Sequence, residues 1–95
     1  GPVTWYLHTV VTDGAEQNAL GLDMEMHITL YPDGQADVVI NEETTSASWT
    51  EKEETITVKT AEAENDYTKV EDMLESEQNG SLMIFKREKP EALSD

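Results

Sequence analysis

Between Met24 and Ile40, apolar residues fall on every second position, break for a turn, and resume on the same beat. Met24, Met26, Ile28 and Leu30 alternate with Glu25, His27, Thr29 and Tyr31. After Tyr31-Pro32-Asp33-Gly34, the residues Ala36, Val38 and Ile40 continue the pattern. A period of two is what a strand with one dry face requires, and a Pro-Asp-Gly run reverses the chain. The segment is predicted as a β-hairpin, and this sets the fold class as β.

The remaining chain supplies more strands. Thr4 to Val11 reads as a strand with Trp5, Leu7 and Val11 on one side and Tyr6, His8 and Val10 on the other, so both faces are partly apolar. Asp13-Gly14-Ala15-Glu16 has the spacing of a capping box and Gly21 that of a left-handed stop, which predicts a helix of about two turns over Ala15 to Leu20. Thr44 to Thr50 points Ala47 and Trp49 to one face, and Glu51-Lys52-Glu53 turns it into Thr55 to Thr60 with Ile56 and Val58 inward. Ala61 to Asn65 reads as an acidic loop and Tyr67 to Val70 as a short strand. Met73 to Gln78 pairs through Asn79-Gly80 with Leu82 to Arg87, because both turn residues accept the positive φ of a type I′ turn. The helix-forming residues of Val70 to Glu77 suggest a helix, but the two-residue hairpin loop closes off that option.

About eight short strands joined mostly by tight turns imply sequential antiparallel neighbours, and a long sheet can close to remove its edges. The expected architecture is an eight-stranded up-and-down β-barrel with one short helix between strands 1 and 2. A β-sandwich is the alternative, since closure cannot be read from the pattern.

With 95 residues, one small domain is expected, over 4 to 88, followed by a polar tail or linker over 89 to 95. Gly1-Pro2 reads as a cloning remnant, so residues 1 to 3 are set aside. Six Lys plus Arg stand against 21 Asp plus Glu, a formal charge of −15, and such a field repels phosphate backbones and anionic headgroups. Nucleic acid is not an expected partner, and no apolar run reaches the roughly 20 residues of a membrane-spanning helix. A monomer is expected. The chain has no cysteine, which removes disulfides, thiolate metal sites and cysteine nucleophiles.

Reactive constellations are sparse. His8 and His27 are the only histidines, they show no HxH or HExxH spacing, and their expected role is structural. Asp13-Gly14 and Asp33-Gly34 read as turns, because neither continues into an alternating Asp/Asn loop closed by a glutamate. No serine sits in a Gly-x-Ser-x-Gly elbow, and no Gly-rich phosphate loop occurs. Neither a metal nor a cofactor is expected. A hydrolase or isomerase using His8 or His27 with a nearby carboxylate is the remaining enzymatic alternative.

Trp5, Trp49, Met24, Met26 and Met83, with Met73, form the group of interest, since large aromatic and adaptable thioether side chains can line an apolar cavity. Trp5, Met24, Met26, Trp49 and Met83 are the candidate ligand-binding residues. Plain core packing is the competing reading, and a small or absent cavity is expected, because eight strands enclose a space that side chains can fill.

A Trp near the start of the first strand, DG and NG hairpin turns, the pieces Ala19-Leu20-Gly21-Leu22, Tyr31-Pro32-Asp33-Gly34 and Ser48-Trp49-Thr50, and a closing Leu82-Met83-Ile84-Phe85-Lys86-Arg87 together resemble the small lipocalin-like domains of bacterial secreted lipoproteins. The resemblance covers roughly residues 4 to 88. In lipocalins, a Gly-x-Trp motif on the first strand is matched by an Arg on the last, which packs over the indole. Trp5 with Arg87, or with Lys86, would be that pair here, although Val3 stands at the glycine position. The resemblance implies an extracytoplasmic, lipid-anchored setting and a binding or structural module whose ligand is mostly unknown; the eight strands and the Trp/Met group lead to the expectation of a non-enzymatic module that takes a small apolar ligand or a protein partner. A filled-core spacer without a ligand is the alternative.

Overall fold

Among the described residues, nine strands follow one another: β1 (Val3–Thr12), β2 (Ala15–Asn18), β3 (Met26–Leu30), β4 (Gln35–Ile40), β5 (Glu43–Lys52), β6 (Thr55–Lys59), β7 (Glu64–Val70), β8 (Met73–Gln78) and β9 (Ser81–Lys86). The computed structural model describes residues 1–91. The tail expected over 89 to 95 falls outside them from residue 92 on.

Turn chemistry sets the registers. Asn79 and Gly80 have φ of 53° and 81° and join Gln78 to its partner Ser81. Asn41 and Glu42, at 46° and 73°, do the same between Ile40 and Glu43. Positive φ at both central residues matches the right-handed twist of the flanking strands. The Pro-Asp-Gly turn is a three-residue loop: the Gly34 N–H donates to the Tyr31 carbonyl (3.1 Å), the Tyr31 N–H donates to the Gln35 carbonyl (2.9 Å), and Gly34 takes φ of 89°. Glycine occupies that position because a side chain would be strained there.

Eight of the strands form a closed antiparallel up-and-down barrel. Each of β3 to β9 pairs with its sequential neighbour, and β1 joins β3 on one edge and β9 on the other. The first half of β1, Val3 to Tyr6, pairs with β3, while Thr9 to Thr12 pair with the additional strand β2. At the changeover β1 carries a bulge: Leu7 pairs with Phe85 and Thr9 with Ile84, adjacent residues of β9, so His8 is one residue too many.

The bulge flips the parity of β1 and corrects the predicted faces. Trp5 and Leu7 point inward as expected, but it is Val10, not Val11, that joins them in the core. The apparent two-faced apolarity of this strand is a single inward face with a one-residue insertion.

The helix predicted over Ala15 to Leu20 is not formed. Asp13 and Gly14 take φ of 51° and 79°, so the pair makes a hairpin turn and Ala15–Asn18 lies along β1 as β2. The capping signal lost because β1 offers ladder partners to the same backbone. A single 3₁₀ turn, Leu20–Leu22, follows; the Asn18 side-chain oxygen accepts from the Leu20 N–H (2.8 Å). Asp23, not Gly21, takes the left-handed conformation that ends it, at φ of 54°. Ala19, fully buried, donates its N–H to the carbonyl of the bulged His8 (2.9 Å) and pins this connection to the wall.

Inward positions carry the core. Leu7, Ile28, Leu74 and Phe85 are the most completely buried large side chains, and Tyr67 meets Phe85 edge-on with ring centroids 5.6 Å apart. Outward positions of β5 and β7 are Thr44, Ser46, Ser48, Thr50, Glu64, Asp66 and Thr68. A transmembrane barrel has the opposite arrangement, with an apolar exterior and a polar interior. Among the described residues, no helix is long and apolar enough to cross a membrane.

Candidate functional site

The packed middle of the barrel leaves concavities at its two mouths and in its wall. The first mouth is formed where β1 begins and β3, β5, β7 and β9 end. Period-two alternation carries it outward from the core: Ala47 and Trp49 lead to Glu51 on β5, Asn65 and Tyr67 lead to Lys69 on β7, and Met83 and Phe85 of β9 lead to Arg87. Trp49, Glu51, Lys69 and Arg87, with Gly1, Val3, Trp5, Leu30, Pro32 and Ile56, line a pocket of about 460 Å³.

Four polar side chains at or beside this mouth, those of Trp49, Glu51, Lys69 and Arg87, have defined contacts. The Trp49 indole N–H donates to the Tyr31 carbonyl (2.8 Å), and the Trp49 backbone N–H donates to the Gly34 carbonyl (3.0 Å), so the Pro-Asp-Gly loop holds the ring in place. Tyr31 in turn donates its hydroxyl to Asp37 (2.9 Å), which raises the Tyr31 pKa above its usual value. Lys69 Nζ lies 2.6 Å from Glu51 Oε2, both side chains about one-third exposed. Arg87 places Cζ 5.4 Å from the centre of the Trp5 ring and donates Nε–H to the Thr4 carbonyl (3.1 Å).

The second mouth is chemically different. Its pocket, about 270 Å³, is lined by Met26, Val38, Ile40, Thr45, Tyr67 and Gln78 among others, with no Lys or Arg in its wall. A neutral hydrogen-bond network closes its floor. Ser76, buried, donates to the Asp66 carbonyl (2.8 Å), and the Gln78 amide donates to Ser76 Oγ (3.2 Å) and to the Tyr67 hydroxyl (3.1 Å). Burial raises the Tyr67 pKa, and the Gln78 contact partly opposes it.

A third concavity, about 170 Å³, lies in the wall where β1 changes partner, between Leu7, Leu20, Met24, Met26 and His27 on one side and Lys89 and Pro90 on the other. The five candidate residues are therefore distributed. Trp5 and Trp49 meet at the first mouth, Met24 and Met26 share the wall groove, Met26 also reaches the second mouth, and Met83 is buried in register with Val10 and Ser76.

His8 and His27 are far apart in role. His8 Nε2 is 2.6 Å from the Glu88 backbone carbonyl, and His27 tilts against Tyr6 with ring centroids 5.6 Å apart. Among the described residues, neither imidazole hydrogen-bonds a carboxylate, and no cluster of three His, Asp or Glu could hold a metal ion.

Glu51 and Lys69 were not among the sequence candidates: Glu51 reads as part of the Glu51-Lys52-Glu53 turn, and Lys69 lies within the short strand Tyr67 to Val70 without a role of its own. The available signal was parity: each falls on the inward beat of its strand. Compared with known proteins, the chain matches no protein-family model, no curated protein and no solved structure.

Proposed function

We propose that this barrel is a non-enzymatic binding module that receives a small apolar group at its first mouth, in an extracytoplasmic protein of the lipocalin-like lipoprotein kind. The observation that carries the reading is that Trp5 and Trp49, distant in sequence, line one solvent-open pocket of about 460 Å³, within the size range of small-molecule sites. Indole rings supply large contact areas at low entropic cost. Among the described residues, His8 and His27 make contacts with a backbone carbonyl and an aromatic ring rather than with a carboxylate, which favours binding over acid–base chemistry.

The test is a titration with a neutral aromatic probe, methyl 2-naphthoate, following the two indole N–H resonances by NMR. Movement of both signals at saturable probe concentration is expected. Unmoved indole signals in a folded sample would instead support the second reading, a spacer with no ligand, which the filled interior around Leu7, Ile28, Leu74 and Phe85 favours.

A further inference from the structure

Three charged side chains gather at one end of a barrel whose core is apolar or neutral: Glu51 and Lys69 near the ends of β5 and β7, and Arg87 one residue past the end of β9. All three line the pocket of Trp5 and Trp49. None of the three is buried, so each stays hydrated enough to exchange partners, and what sets them apart is their collection beside two indoles at one mouth.

We propose that the first mouth selects a compact apolar monocarboxylate, with Arg87 and Lys69 as the cations that hold the carboxylate and Glu51 as the competing anion that sets the affinity. The inference rests on the binding reading above and names the chemistry of its ligand.

Three features define that chemistry. The guanidinium of Arg87 is preoriented by the Trp5 ring and by its Nε–H bond to the Thr4 carbonyl, which leaves its two Nη groups as a planar fork. Such a fork matches a carboxylate. Charge then favours a monoanion: the pocket side chains hold two cations against one carboxylate, with Gly1 also in the lining, inside a chain of formal charge −15 that repels a dianion more strongly. Depth limits the body. Leu7, Ile28, Leu74 and Phe85 block the middle of the barrel, so the pocket is a bowl that accepts a ring-sized group against two indoles and has no channel for a long chain.

Glu51 gives the site its adjustable element. Its 2.6 Å contact with Lys69 is partly exposed and so exchangeable, and an incoming carboxylate competes for the same ammonium group. The second mouth has no cation and serves as the internal contrast.

The experiment compares 2-naphthoate, its methyl ester and 2-naphthylmethylammonium, by calorimetry and by the Trp indole N–H signals, at about 20 mM salt. Binding of the acid about tenfold tighter than the ester is expected, with the ammonium weakest and the preference shrinking as salt screens the exposed cations. Arg87→Gln is expected to remove most of the preference. Glu51→Gln is expected to tighten the acid about threefold while leaving the ester unchanged, a split that a merely structural role for Glu51 does not produce. Equal binding of acid and ester overturns the monocarboxylate inference and leaves the binding module standing. Failure of all three probes to bind a folded sample overturns both.

Discussion

The guanidinium of Arg87 lies over the indole of Trp5, Cζ to ring centre 5.4 Å, and its Nε–H bonds the carbonyl of Thr4 across 83 residues of sequence. One side chain thus ties the last strand of the barrel to the first, at the point where the ring closes. Arg87→Ala is expected to destabilise the fold by about 1 kcal/mol, the worth of an exposed cation–π contact with one hydrogen bond. The corresponding fall in Tm is about 4–8 °C. Arg87→Lys should recover part of it, since an ammonium keeps the charge but not the planar stack. Thermal unfolding by circular dichroism reads both, and a variant as stable as the parent would remove the closing role.

The bulge at His8 makes two adjacent valines unequal. Val10 is buried and Val11 only half-buried. Val10→Ala should cost about 1.5–2 kcal/mol, the loss of two buried methyl-sized groups, and Val11→Ala less than half as much. Urea midpoints measure the difference. The reverse order would mean that β1 runs without the insertion.

Glu42 is held at φ of 73° in the turn between β4 and β5, where a side chain gains nothing and strains the backbone. Glu42→Gly relieves that strain, partly offset by the freer unfolded chain. A net gain of about 0.5 kcal/mol, or about 2–4 °C in Tm, is expected. No change in Tm would show that the turn is relaxed with glutamate.

Both Tyr31 and Tyr67 ionise above the usual tyrosine value of 10.0, Tyr31 chiefly through its hydrogen bond to the Asp37 carboxylate and Tyr67 chiefly through burial. A raised pKa means that the folded state keeps its proton when the unfolded chain has lost it. The stabilisation is therefore complete below pH 10.0 and is lost as pH rises through the folded values. Urea midpoints should decline above pH 10, and less steeply in a Tyr31→Phe, Tyr67→Phe double variant. Equal slopes would assign the alkaline loss to other groups.

Much of this architecture was legible in local residue order. Alternation at Met26, Ile28 and Leu30, at Ile56 and Val58, and at Met83 and Phe85 fixes which faces are dry. Asn79-Gly80 and Pro32-Asp33-Gly34 fix where neighbouring strands turn, because φ preferences belong to single residues. Strand order in an up-and-down sheet follows from those two facts. The pairing of Trp5 with a cation near the end of the chain was also within reach, through resemblance rather than geometry.

What lay beyond local order depends on partners far away in sequence. Asp13-Gly14 serves a helix cap and a hairpin turn equally well, and only the open edge of β1 beyond Tyr6 decided for the strand β2. The insertion at His8 exists relative to β9, some 75 residues on, so no window around it could reveal which valine turns inward. Closure itself is a pairing of the first strand with the last. The same closure brings Trp5, Trp49, Glu51, Lys69 and Arg87 to one mouth: parity assigns each residue a face, but only a ring of fixed register makes those faces share a pocket.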